Sequence, residues 1–288
     1  RDMLRHSSRF GILACGMTLV IITGGIDLAV GSILGLVAVV SAILSIHMGV
    51  SPLVAVPLCL MVGLACGTVS GTLVSRFQMQ PFIATLAMMV FARGLAKTVS
   101  GGMKVSTAVQ NADGTYRYVE VPDVFRAIDS RLLADNVSMV TVVFLVCAAL
   151  SWIALARHRW GRELYAIGGN EEAARLSGIP VAHIKTAVYT LCGGLAALAA
   201  VIHCSRLTAA DPNAGIGYEL QAIAAVVIGG TSLMGGRGAV INTFIGVIII
   251  AVLENGLVQM GAQEPIKRLV TGAVIIIAVI LDYYRRRV

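Results

Sequence analysis

The sequence predicts an all-α polytopic membrane protein whose helices are interrupted at glycine-rich breaks. Three observations predict it. The chain is 57% hydrophobic and only 13% charged, with a mean hydropathy of +0.87. Soluble domains run at about 45–50% apolar and about 25% charged. The apolar residues gather into runs near the length of a bilayer crossing, and the basic residues gather in particular links between them. The 288 residues read as one transmembrane domain, 1–288.

The runs, in order, cover 10–22, 32–46, 52–75, 82–99, 137–155, 183–203, 219–230, 238–256 and 266–284, nine candidate spans. Several fall short of the ~20 residues of a full crossing. The short ones flank glycine-rich breaks, which predicts broken or re-entrant helices. Irregular backbone survives at membrane depth only where protein or a wet cavity covers it. The chain opens on Arg1 and enters an apolar run almost at once, so a preceding N-terminal portion is expected; no cleavable signal peptide is read. One further span there makes about ten in the full chain.

Basic residues set the expected orientation. Arg157, Arg159, Arg162 and Arg175 follow the fifth run, Arg76 sits in the link 76–81, and the C-terminus closes on Tyr283, Tyr284, Arg285, Arg286 and Arg287. Alternating crossings put all three sites in the cytoplasm. The interval 156–182 is then a cytoplasmic loop, and 100–136, with Lys104, Asp113, Arg117, Glu120, Asp123, Arg126, Asp129, Arg131 and Asp135, faces outward. Arg1, Arg5 and Arg9 fit this scheme poorly, since it places them outside.

Residues 24–31 (GGIDLAVG) and 229–236 (GGTSLMGG) echo each other. Gly24, Gly25, Leu28 and Gly31 align with Gly229, Gly230, Leu233 and Gly236. Interrupted helices at matching positions of two repeats mark transport pathways; small residues also simply let helices approach. Both readings stay open. Asp27 in the first break can cap the helix near Val30, line a pathway or bind a proton. Gly63, Gly67 and Gly71 recur every fourth residue, which makes one smooth stripe for helix packing. Arg93, inside a run, requires an ion pair or a polar cavity. Arg206, His183, His203 and Glu254 stand at span ends.

The polar interval Gly161–Pro180 holds a short helix with signals at both ends. Asn170 can cap it, Glu171 and Glu172 suit its first turn, and Ala173, Ala174, Arg175 and Leu176 are helix formers. Gly178 and Pro180 stop it. A helix of roughly two turns is not stable alone in water, so its own domain or a partner must hold it.

Several classes are excluded. Cys15, Cys59, Cys66, Cys147, Cys192 and Cys204 form no CxxC and lie mostly in apolar runs, so no metal site or disulfide framework is expected. There is no phosphate-binding loop, no catalytic signature, no arginine ladder and no chain of intramembrane carboxylates. The net charge of +7 reports cytoplasmic loops rather than nucleic-acid binding. No cofactor and no catalytic residue is expected, and any nucleotide that powers this chain binds another.

The runs TLVIITGGIDLAVGS (18–32), QPFIATLAMMVFARGLA (80–96), GRELYAIGGNEEAARLSGI (161–179) and IGGTSLMGGRGAV (228–240) resemble the membrane permeases of bacterial ABC sugar importers, of the ribose, xylose, arabinose and galactose type. The resemblance covers nearly the whole chain. It implies ten spans with both ends inside, an inner-membrane location, a second permease subunit (a homodimer or a mixed pair), a cytoplasmic ATPase and a periplasmic sugar-binding protein. It also implies that Asn170, Glu171, Glu172, Ala173, Arg175, Leu176 and Gly178 form the helix that couples to the ATPase, and that the two glycine breaks form the pathway. The cargo is then a monosaccharide or polyol. Another small polar cargo, such as a nucleoside or autoinducer, is the alternative within transport. A secondary transporter and a non-transporting membrane scaffold are the rivals outside ABC import.

Overall fold

A computed structural model describes residues 2–110, 115–119, 130–132, 137–204 and 209–285. Asp113, Glu120, Asp123, Arg126, Asp129, Asp135, Arg206, Arg286 and Arg287 lie outside them. The described chain is helical, with three two-stranded antiparallel ribbons. Among the described residues, six helices are long and apolar enough to cross a membrane.

Helix α1 runs Asp2–Ile22 and α2 Val30–Ala42, continued by a π-helical turn Ile43–His47. Then come α3 (Pro52–Ser75) and α4 (Pro81–Val99), each with proline in its first turn, where the missing N–H costs nothing. Helix α5 is Met139–Arg157, α6 Arg159–Gly169, α7 Glu171–Leu176 and α8 Val181–Cys204. The chain closes with α9 (Tyr218–Ile228), α10 (Val240–Gln259) and α11 (Glu264–Arg285).

The nine apolar runs all become helices, with ends shifted by a few residues. One difference is at the start, where helix precedes residue 10 by two turns. Arg9 there meets His203 at 2.6 Å and Ser8 donates to Thr141 at 3.4 Å, so these polar residues are placed by tertiary partners that no local pattern reveals. The other is α6, a separate helix inside the polar interval. Its buried residues Gly161, Leu164 and Ile167 fall on one face, each three residues from the next.

Burial follows the logic of a membrane protein. Helix α2 is the central rod, with nearly every side chain buried. The outer faces of α3, α4, α5, α10 and α11 expose Leu53, Phe91, Leu150, Ile245 and Ile277. Small residues fill the interior: Gly193, Ala196, Ala197, Ala199 and Ala200 of α8 are buried. Helices α3 and α8 form the most extensive pair in the molecule and run antiparallel. Gly63 abuts Gly193 and Ala197, Gly67 abuts Tyr189 and Thr190, and Gly71 abuts Thr186. A Cβ at any of the three would meet main chain of α8, so glycine here sets the distance between the two helices.

Interhelical hydroxyls add direction where lipid supplies no hydrophobic drive. Thr18 and Thr243 join α1 to α10 at 2.7 Å, and Ser75 and Thr186 join α3 to α8 at 2.7 Å. Thr68 and Thr190 join the same pair at 2.9 Å. Phe144 of α5 and Phe244 of α10 stack with centroids 5.6 Å apart. At the end of the bundle away from α7, Val105–Ser106 pairs with Ala209–Ala210, which ties the strand after α4 to the strand after α8.

Candidate functional site: a capped polar helix beneath two paired glycine breaks

Helix α7 is built by its caps. The Asn170 side chain accepts the Ala173 N–H at 2.9 Å. At the other end Gly178 adopts φ +81°, and the N–H groups of Gly178 and Ile179 return to the carbonyls of Arg175 and Ala174, each at 3.1 Å. That is the double-bonded glycine stop of a Schellman motif. Ala174 is buried and anchors the helix, whereas Glu172, Ala173, Arg175 and Ser177 are exposed. Leu176 is 85% exposed, and Gly178 is exposed beside it. The six-residue polar helix thus holds one apolar side chain out at its C-terminal end.

One ion pair lies within α7 and one ties it to α8. Glu171 accepts Arg175 at 3.0 Å one turn on, and Lys185 of α8 at 2.5 Å. Lys185 is not evident as a site residue from local pattern. Its warning sign is a lone cation among apolar residues at the start of a span, which demands a partner. A cleft of about 490 Å³ runs between α7 and the α3–α4 link, lined by Gln78, Pro81, Glu172, Leu176 and Lys185. Gln78 closes that link in the left-handed region, at φ +53°.

The two echoing breaks come together. Gly24 faces the Met234 carbonyl, and Gly236 donates its N–H to the Ile22 carbonyl at 2.9 Å. Gly24, Gly230 and Gly236 have φ of +76°, +89° and +70°. The end of α6 seals them: Gly168 sits on the main chain of Ile22 and Gly236, and Tyr165 donates its hydroxyl to the Gly238 carbonyl at 2.7 Å. Burial pushes the Tyr165 phenol above its ordinary value, so it stays a donor. Gly229 packs on the main chain of Asn242 at the start of α10. Leu28 and Leu233 are half-buried on either side of the junction.

Asp27 is fully buried and its Oδ1 accepts the Ala29 N–H at 2.9 Å, which anchors the entry to α2. A Cβ on Gly25 would overlap the Tyr189 hydroxyl of α8, and one on Gly31 would overlap the Glu219 carboxylate and the Gly215 carbonyl. The polar surroundings that Arg93 requires are main-chain carbonyls. Its guanidinium donates to the carbonyls of Pro212 (2.5 Å), Ala214 (2.8 Å) and Gly31 (3.2 Å). Carbonyls of irregular backbone leading into a short apolar helix need such donors. Among the described residues, no three His, Cys, Asp or Glu side chains converge as metal ligands do.

A bundle with apolar outer faces, small-residue seams, paired glycine breaks and one projecting capped helix defines a multi-pass membrane protein. The chain belongs to the family described as branched-chain amino acid transport system / permease component, whose model matches residues 2–279. It is 44% identical over 287 residues to the ribose import permease protein of Escherichia coli (strain K12), covering 98% of this chain and 84% of that protein. It is 36% identical over 273 residues to the fructose import permease protein of Bifidobacterium longum, covering 94% and 78%. It is 32% identical over 270 residues to an autoinducer 2 import system permease protein of Yersinia enterocolitica, covering 94% and 79%. No solved structure matches the chain.

Proposed function

We propose that this chain is the membrane subunit of an ATP-driven importer in a bacterial inner membrane, passing a monosaccharide between its helices. The observation that carries the proposal is α7: a helix capped at both ends, ion-paired to the bundle through Glu171 and Lys185, with Leu176 held out for a partner. A cytoplasmic ATPase docks there, through Asn170, Glu171, Glu172, Ala173, Arg175, Leu176 and Gly178. The interval 156–182 is therefore cytoplasmic, and 100–136 faces a periplasmic sugar-binding protein. The full chain makes about ten crossings, and two copies form the pathway. The paired breaks, with Gly24, Gly25, Asp27, Leu28, Gly31, Gly229, Gly230, Leu233 and Gly236, are its gate. The Gly63–Gly67–Gly71 stripe is packing. The chain itself changes no bond in the cargo.

The relatives named for ribose and fructose import make a sugar the first cargo to test; the relative named for autoinducer 2 supports a second reading with the same mechanism. The experiment is uptake of labelled ribose into proteoliposomes that carry the permease with its co-encoded ATPase and binding protein. ATP-dependent accumulation is expected. No accumulation of ribose, fructose or autoinducer 2 in an assembled complex would overturn the proposal in favour of a scaffold.

A further inference from the structure

Lys185, Tyr189 and Cys192 of α8 lie one turn apart on a single buried face. That face touches three different parts of the molecule in order. Lys185 holds Glu171 of α7 at 2.5 Å. One turn on, the fully buried Tyr189 packs beside Gly71 of α3 and puts its hydroxyl against Gly25 in the first glycine break. A turn beyond, Cys192 packs on Gly16 of α1. Gly67 and Gly71 leave no slack between α3 and this stretch of α8, so motion along the seam moves the face as one body.

The middle contact carries stored polarity. Among the described residues, neither the Tyr189 hydroxyl nor Oδ2 of Asp27 has a hydrogen-bond partner at good geometry; the Ile26 main chain approaches the hydroxyl, the Cys192 thiol approaches the Asp27 carboxylate, and the two groups lie within electrostatic reach of each other. A buried polar atom without a partner is costly. A neighbouring arrangement in which the hydroxyl donates to the Asp27 carboxylate would satisfy both at once.

We propose that Lys185 and Tyr189 are positioning residues that transmit displacement of α7 into the first glycine break. When α7 is moved, Lys185 carries α8 with it, and the Tyr189 hydroxyl passes from Gly25 to the Asp27 carboxylate, shifting the backbone that leads into α2. This rests on the reading of α7 as the ATPase docking helix.

The test is sugar moved per ATP hydrolysed, measured with ribose in proteoliposomes containing the full complex. Lys185→Met lowers that ratio about fivefold or more, the lower end of the usual range of site-to-site coupling. Lys185→Arg, which keeps the cation beside Glu171 and leaves α7 untouched, retains most of it. Tyr189→Phe removes one oxygen and keeps the ring, so it lowers the ratio while leaving thermal stability equal or higher, which a purely structural role does not do. If Lys185→Met does not assemble, Tyr189→Phe decides alone. A wild-type ratio in Tyr189→Phe, or an assembled Lys185→Arg that is as poor as Lys185→Met, overturns the proposal. Absence of ATP-driven uptake in the wild-type complex instead overturns the transport reading beneath it.

Discussion

Substituting alanine at Gly67 and at Gly94 separates the packing argument from helix propensity. Both glycines are interior to helices, α3 and α4, so alanine brings each the same propensity gain of about 1 kcal/mol. Their surroundings differ. A Cβ at Gly94 meets nothing within 4 Å, whereas one at Gly67 lies 2.9 Å from Thr190 Cα and 3.0 Å from the Tyr189 carbonyl carbon. These are main-chain atoms of α8, which no rotamer change can withdraw. Overpacking a tight site costs about 1–3 kcal/mol, and rigid backbone puts Gly67 at the upper end. After the propensity gain, Gly67→Ala is destabilised by roughly 1–2 kcal/mol and Gly94→Ala is neutral to stabilised by up to about 1 kcal/mol. At about 2–4 °C per kcal/mol for a chain of this size, the two melting temperatures separate by roughly 5–10 °C. Scanning fluorimetry of both variants in one detergent reads the difference. Equal melting temperatures would refute the claim that glycine sets the α3–α8 distance.

Other outcomes follow from the ends of the bundle. Arg93→Met strips donors from the Pro212, Ala214 and Gly31 carbonyls, each bond to a charged donor being worth about 1.5–3 kcal/mol, so the variant should fold poorly or melt far lower, with Arg93→Lys intermediate; wild-type melting in Arg93→Met would show the contacts to be incidental. Leu176→Cys and Met103→Cys should react with an impermeant maleimide from opposite sides of the membrane, since both positions are exposed at opposite ends of α4's span. Labelling from the same side would contradict the crossing of α4. Charge reversal at Glu172, which is exposed, should weaken ATPase docking with little change in melting, while reversal at Glu171 should also lower melting by breaking its bond to Lys185; equal melting for the two contradicts the Glu171–Lys185 anchor. The Asn213 N–H, then Lys104, hold the Asp211 carboxyl below its ordinary value, so its stabilisation is present above the usual carboxylate range and is lost as pH falls through the lowered value. The melting difference between wild type and Asp211→Asn should therefore shrink in acid; a difference that does not vary with pH removes the assignment.

The helices were legible because lipid imposes a coarse rule, that a crossing needs a long apolar run, and six of the described helices obey it. The caps of α7 were legible for the same reason: Asn170 and Gly178 act on their own neighbours, and local chemistry can be read locally. What was not legible is whatever depends on a distant partner. Arg93 advertises a requirement without naming who meets it, and the answer proved to be three carbonyls from two segments far away in sequence. Lys185 looks like an ordinary end-of-span lysine until Glu171 is placed beside it. Helix α6 was hidden because its apolar face is short: Leu164 and Ile167 enter the core, and beyond them Gly168 seals onto main chain.

The two glycine breaks show how far local reading reaches. Their likeness suggested a shared task, and small residues could serve close packing or a pathway equally well. The structure has the breaks pack on each other, backbone to backbone, with Gly168 of α6 between them. Close packing and gating are then not alternatives at this junction. Main chain without side chains between can slide by small amounts without repacking a core, and the hydrogen bond from Gly236 to Ile22 can be traded for another at little cost. Filling the contact with one methyl group, as Gly168→Ala does against Ile22 and Gly236, should therefore jam the junction as well as strain it. Uptake should fall by more than the loss of folded protein accounts for; a fall that tracks folded protein alone would leave these glycines as packing only.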